Sequence, residues 1–150
     1  MPVRFFLAVF FVFVTTAVAQ KGGRVEYAGG TLPIQAGADG ALDTHKPGEM
    51  VLQLKRWTVQ VPYKRINLLE YGQNVNRRLA LAIVISPLFL LSKARKHFLT
   101  IGFQGHDEAQ QAVVLRVNKK DVRSVLASLE ARTGLKVQYQ DDEARKAGKG

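Results

Sequence analysis

The chain has 150 residues, enough for one domain with its own core, and its 22 lysines and arginines against 12 aspartates and glutamates give a formal net charge of +10. It contains no cysteine, which excludes disulfides, a cysteine nucleophile and a cysteine-linked lipid anchor. It contains neither a Gly-x-Ser-x-Gly elbow nor a Gly-x-x-x-x-Gly-Lys phosphate loop, so no linear motif indicates an enzyme.

The N-terminus has the three parts of a secretory signal peptide. Arg4 supplies a positive charge, Phe5–Val14 is continuously apolar, and Ala17-Val18-Ala19 has the small-x-small pattern that signal peptidase recognises. The alternative is an uncleaved anchor, but the apolar stretch ending at Ala19 is shorter than the ~20 residues that span a bilayer. We therefore predict cleavage before Gln20 and a protein of the bacterial envelope or periplasm. For an exported protein, the positive charge favours anionic lipid or acidic glycan over nucleic acid as a partner.

Residues 20–40 form a glycine-rich segment, followed by residues with alternating apolar side chains. We predict two short strands around Arg24–Ala28 and Ala41–Thr44, joined by glycine-containing loops. Glu49–Lys55 and Trp57–Val61 are predicted as the next strands, because apolar and polar residues alternate in the second of them. Pro62 ends or kinks that strand, and its alternation predicts that Trp57 belongs to the core.

Three further strands are predicted before the first clear helical pattern. Ile66–Tyr71 is one of them and ends at a glycine. His97–Phe103 and Ala112–Val117 both alternate, and the polar loop Gly105–Glu108 joins them, which predicts an antiparallel hairpin.

The C-terminal part contains one amphipathic helix, predicted from Asp121 to Arg132. Its apolar residues recur at the spacing of a single helix face, and a glycine follows where a left-handed residue ends a helix. The residues of that face are Val122, Val125, Leu126 and Leu129. Asp121 is predicted as its N-cap. A short strand is expected at Leu135–Tyr139, and residues 141–150 are predicted to be a charged, flexible tail.

The order of these elements resembles the pleckstrin-homology-like (PH-like) barrel superfamily, which includes bacterial PH and GRAM domains. The resemblance covers about residues 41–133, and Val61-Pro62-Tyr63-Lys64-Arg65-Ile66 is similar to an Ile-Pro-Tyr-x-x-Ile strand common in bacterial members. It implies an α+β fold, mainly antiparallel, in which one C-terminal amphipathic helix closes a partly open barrel over residues 41–140. Members are mostly lipid-binding or protein-binding modules. The chain has no match to the basic phosphoinositide motif of some members, so the resemblance implies no ligand residues here.

An apolar run, Leu79–Leu91, interrupts this pattern as an insertion of thirteen residues without a charge. Five basic residues flank it: Arg77, Arg78, Lys93, Arg95 and Lys96. As a helix the run covers only ~20 Å of the ~30 Å hydrocarbon core, and Pro87 interrupts it, so a spanning helix is disfavoured. Two interpretations remain. The run is either a buried core segment, or an interfacial element whose Leu88, Phe89 and Leu90 enter a leaflet while the basic flanks contact anionic headgroups.

These observations predict a non-catalytic, exported protein that binds an anionic membrane surface through the apolar run and its basic flanks. The alternative is a protein-interaction or assembly module that uses the same run as an interface. No cofactor and no metal site is expected. His106 stands beside Asp107 in a polar turn, where neighbouring residues rarely converge on one ion, and His97 is expected to be a solvated or capping residue.

Overall fold

A computed structural model describes residues 22–73, 84–85 and 96–149, and for Val84 and Ile85 it describes the backbone alone. The predicted signal peptide lies outside these ranges. Within the described ranges, nine strands and two helices follow one another: β1 Gly23–Gly30, β2 Ala38–Asp43, β3 Glu49–Leu54, β4 Trp57–Pro62, β5 Ile66–Gly72, β6 Val84–Ile85, β7 Phe98–Gln104, β8 Gln110–Val117, α1 Val122–Thr133, β9 Gln138–Tyr139 and α2 Asp142–Lys149. Neither of these helices has the length and apolar character needed to cross a membrane.

The strands form one open sheet that is mainly antiparallel. Its order is β4-β3-β2-β1-β8-β7-β5-β9, and β6 adds to β1 beside this path. Only the short β9 runs parallel to its neighbour, β5. A 3-10 turn at Tyr63–Arg65 joins β4 to β5, yet the two strands do not pair, and the described sheet is open between them. The predicted mainly antiparallel α+β class is therefore confirmed at this level.

The core lies on one face of the sheet, and strand alternation determines which residues enter it. Leu99 and Ile101 of β7 pack with Val113 and Leu115 of β8, and all four are fully buried. Because neighbouring side chains on a strand point to opposite faces, the predicted alternation identifies these residues correctly. Trp57 is the exception, since it is 49% exposed at the start of β4 instead of buried in the core.

Helix α1 confirms the predicted face, because the four residues predicted to form it are all buried: Val122, Val125, Leu126 and Leu129. Gly134 follows with φ 73° and donates its N–H to Glu130 O, as expected of a left-handed C-terminal residue. Asp121 differs from the prediction. It stands at the N-cap position, but its carboxylate accepts the backbone N–H of Arg24 (2.9 Å) instead of capping the helix.

The C-terminal residues form a second helix where a flexible tail was predicted. Asp141 accepts the N–H of Ala144 at 2.6 Å, which is the contact of an N-cap, and Ala144 is fully buried. Gly148 packs so closely that an added Cβ would lie 2.5 Å from the Tyr139 ring. Two helices, and not one, therefore follow the main strands, because tertiary packing orders a segment whose own sequence is weakly helical.

The glycine-rich segment provides β1 and the start of β2. Gly30 has φ +151°, and a Cβ there would lie 2.4 Å from the carbonyl oxygen of Ala112 on β8. Close backbone approach therefore requires glycine at this position. Beyond a register shift near Tyr27, β1 continues to pair with β8, and its other edge meets β6 instead of β2.

Candidate functional site

The apolar run belongs to an insertion between β5 and β7. These strands form an antiparallel pair whose last register is Gly72 with Phe98. The predicted binding residues Arg77, Arg78, Leu88, Phe89, Leu90, Lys93 and Arg95 lie outside the described residues. Lys96 is described and is half-buried immediately before β7. The structure therefore fixes where the insertion leaves the sheet and where it returns.

The middle of the run contacts the sheet through backbone pairing. Val84 and Ile85 form β6, which lies antiparallel to the last residues of β1, with Ile85 opposite Gly29 and Val84 opposite Gly30. Between the β5 exit and β1 lie β7 and β8, so the two points are three strand spacings apart, or about 14 Å. The insertion is therefore attached to the sheet at a point remote from its ends.

Between these attachment points the sheet carries an apolar outer face, on the side opposite the main core. It consists of Ala28, Phe98, Ala112 and Val114, all at most 6% exposed. Thr100 and Glu70 lie beside each other on the same face and are also buried. A sheet buried on both faces is unusual for an antiparallel sheet, which commonly has one face in water. This face was not predicted from the sequence.

Tyr71 and His97, which lie on either side of the insertion in the sequence, contact each other where it leaves and rejoins the sheet. The Tyr71 Oη and His97 Nδ1 atoms are 2.5 Å apart, and the two rings are parallel within 6°. Burial raises the pKa of Tyr71 to about 12, so its hydroxyl stays protonated at neutral pH. Burial, with a smaller contribution from the Lys119 charge, lowers the pKa of His97, which favours the neutral ring. His97 is thus a partner of a buried tyrosine, contrary to the solvated or capping role predicted for it.

Basic side chains gather at the same end of the molecule, and we call this group the basic end: Arg24, Lys96, Lys119 and Lys120. Backbone hydrogen bonds hold it, because Val117 N–H donates to His97 O (2.8 Å) and Asn118 N–H donates to Arg24 O (3.0 Å). Arg24, Lys119 and Lys120 are exposed. Of the adjacent acidic groups, Glu26 pairs with Arg116, whereas Asp121 accepts the Arg24 backbone N–H and keeps its charge, so four cations face one uncompensated carboxylate.

A groove of about 370 Å³ lies where the sheet stays open, between β4 and the tip of the β7–β8 hairpin. Its apolar part comprises Leu32, Val59, Val61, Pro62 and Phe103. Arg65 lines it as well and donates to Gly105 O at 2.9 Å, which ties the β4–β5 turn to the hairpin tip. The groove therefore follows the strand edge that no described neighbour covers.

A second, smaller cavity of about 260 Å³ lies at the N-terminus of α1. Ser124 donates to Asp121 O at 2.9 Å, and Ser128 donates to Thr44 O at 3.3 Å, so these hydroxyls serve the fold. Within the described ranges, no group of three or more histidine and acidic side chains is arranged to hold a metal ion. His106 is exposed at the hairpin tip, where it lines the hairpin side of the groove with Asp107.

No protein-family model matches the chain, and a search of the curated proteins found no similar sequence.

Proposed function

We propose that the protein is an exported, non-catalytic PH-like module that binds an anionic membrane surface of the bacterial envelope. The mainly antiparallel open sheet, followed by an amphipathic helix against its core, supports the PH-like assignment. Such folds serve more often as binding modules than as enzymes. Because one fold serves many functions, the surface of this chain and not the fold determines what it binds.

The basic end is the observation that carries this proposal. It lies beside the point where the insertion returns to β7. In the sequence, the predicted basic flank with Lys93 and Arg95 directly precedes that point. Each lysine or arginine near an anionic surface contributes about 1 kcal/mol to binding. Four or five such contacts, with partial insertion of Leu88, Phe89 and Leu90, suffice for reversible binding without a lipid anchor.

Charge reversal at the basic end tests the proposal. We expect Lys119→Glu with Lys120→Glu to weaken sedimentation with anionic liposomes at physiological salt by at least about thirtyfold, because two cations contribute about 2 kcal/mol. The matched control is Lys55→Glu with Arg56→Glu, an identical charge change in the β3–β4 turn. That turn joins strands that lie two and three strand spacings from β1, about 9 and 14 Å, and both distances exceed the ~8 Å screening length at physiological salt.

Equal loss in the two double variants would mean that net charge, and not the basic end, determines binding. A stable homo-oligomer in lipid-free buffer, together with liposome binding that ignores lipid charge, would instead support the assembly module. Sedimentation equilibrium of the mature protein distinguishes these outcomes.

The export step gives a separate prediction. Expressed with its leader in a bacterial host, the protein should begin at Gln20 and appear outside the cytoplasm, because Ala17-Val18-Ala19 is the expected cleavage site. Intact-mass measurement checks this directly. A mass that retains residues 1–19 would contradict cleavage and favour an uncleaved anchor.

A further inference from the structure

The outer edge of β4 has no strand partner in the part of the chain that the structure describes. Among the described strands, β4 pairs with β3 alone, in the register Leu54 to Trp57 through Glu49 to Pro62. Tyr63 N–H donates to Gly48 O at 3.0 Å, which extends the same register by one pair. Tyr63 therefore belongs to the residues whose backbone groups bond toward β3. In an antiparallel pair, every second residue bonds to the neighbouring strand and the residues between them point their N–H and C=O groups the other way. Thr58 and Gln60 are out of step with Tyr63, so their backbone groups point away from β3. Both residues are exposed.

Apolar side chains line the inner face of the same strand. Val61 is buried, Val59 is half-buried, and Trp57 is 49% exposed on the face that they share. Val59 and Val61 also line the groove of about 370 Å³, with Phe103 and Leu32 near them. Trp57 is the largest exposed apolar side chain among the described residues. An extended chain laid along β4 would thus obtain backbone hydrogen bonds from its edge and apolar contacts from the groove.

The charges around β4 indicate which kind of peptide would bind along it. Lys55 and Arg56 precede the strand and are exposed, while Lys64 and Arg65 follow it. Cations therefore stand at both ends of the free edge. Asp107 also lines the groove, but it accepts the backbone N–H of Ala109 at 3.2 Å. The net charge around β4 and its groove is therefore positive, as is the net charge of the whole chain.

We propose that the β4 edge and its groove bind an extended peptide segment in which apolar and acidic residues alternate, by adding it to the sheet as a new strand. The site lies apart from the basic end and does not depend on membrane binding. A second copy of the chain fits less well. Antiparallel pairing of two β4 edges would place Lys55 and Arg56 opposite Lys64 and Arg65, and like charges across a strand pair repel.

Binding can be measured with a defined probe, the capped peptide acetyl-Val-Glu-Val-Glu-Val-Glu-Val-amide. Trp57 is the single tryptophan of the chain, so its emission reports directly on this edge. We expect a saturable change in that emission. The matching Val-Lys peptide should bind at least about tenfold more weakly, because it meets the same cations with the opposite sign.

Substitution at Gln60 tests the hydrogen-bonding part of the proposal. Gln60→Pro removes an outward N–H and leaves the β3 side intact, since proline is tolerated where a strand N–H faces solvent. We expect Gln60→Pro to lose affinity by at least about tenfold, and Gln60→Ala, which keeps the backbone N–H, to lose clearly less. Circular dichroism and a thermal melt establish that both variants fold.

Backbone methylation of the probe gives the same test on the unaltered protein. One peptide is N-methylated at its odd residues and the other at its even residues. Each can therefore donate hydrogen bonds from only one of its two edges. We expect one to bind and the other to fail. The proposal is overturned if the Val-Glu peptide leaves Trp57 emission unchanged, if both methylated peptides bind equally, or if a folded Gln60→Pro variant binds like the wild type. Self-association that the peptide does not reverse would assign the edge to a second copy and would also overturn it.

Discussion

Replacing Leu126 with alanine is expected to lower the free energy of unfolding by about 2–5 kcal/mol. Leu126 is 2% exposed, between the sheet and helix α2, where an added Cβ on Gly148 would come within 3.0 Å of its Cδ1 atom. Truncation loses the transfer free energy of the removed atoms and leaves a cavity that the two helices and the sheet cannot fill completely. Urea titration followed by circular dichroism measures the change.

Arg123→Ala is the matched control for that substitution. Arg123 is exposed on the same helix, and alanine has the higher helix propensity, so the free energy of unfolding should change by less than about 0.5 kcal/mol. Comparable losses in the two variants would contradict the assigned face of α1. Equal urea dependence of the two transitions is also expected, because neither change alters the surface exposed on unfolding.

The contrast between the two C-terminal helices illustrates what local sequence signals determine. In α1 the apolar spacing, the length and the left-handed Gly134 all agree, so the helix was predictable. Helix α2 has two alanines and a glycine within eight charged and small residues, and it depends on packing of Ala144 and Gly148 against other elements. The capping aspartate, Asp141, was the one local signal that could have indicated it.

The candidate site was less predictable, because it depends on contacts between residues far apart in the sequence. Alternation in β7 identifies Leu99 and Ile101 as core, and the same pattern leads one to expect water on the side of Phe98 and Thr100. Both are buried, since the outer face is covered as well. Likewise, alternation predicted a buried Trp57, and only the open order of the strands explains its exposure at an edge.

The apolar outer face makes the two interpretations of the insertion experimentally separable. Val114 is fully buried there, so Val114→Asp should destabilise the fold severely by burying a carboxylate without a partner. The Val114→Asp variant therefore shows how much stability is lost when a charge is placed on the outer face. If Leu79–Leu91 covers the outer face, Phe89→Asp should give a loss of stability of the same kind in urea titration. Any liposome binding by the wild type should then come from the basic end alone and be lost at high salt.

The membrane proposal predicts the opposite result for Phe89→Asp. The free energy of unfolding of the variant should stay within about 0.5 kcal/mol of the wild-type value, because the changed side chain contacts lipid and not the core. Its binding to anionic liposomes should lose the part that survives high salt, worth about 1.5–3 kcal/mol for one large apolar side chain, because apolar insertion is not screened. Charge reversal at Lys93 and Lys96 should remove the salt-sensitive part instead.

Liposome sedimentation at low and high salt, with urea titration of each variant, separates the two interpretations. Anionic liposomes at low salt give the strongest attraction that this chain can obtain, since its basic residues then act over tens of ångströms. If the wild type fails to bind under that condition, the membrane proposal is wrong, whatever the variants do. If it binds and Phe89→Asp unfolds, the basic end acts alone and the apolar run belongs to the fold. If it binds and Phe89→Asp remains folded with only salt-sensitive binding, the run itself enters the membrane.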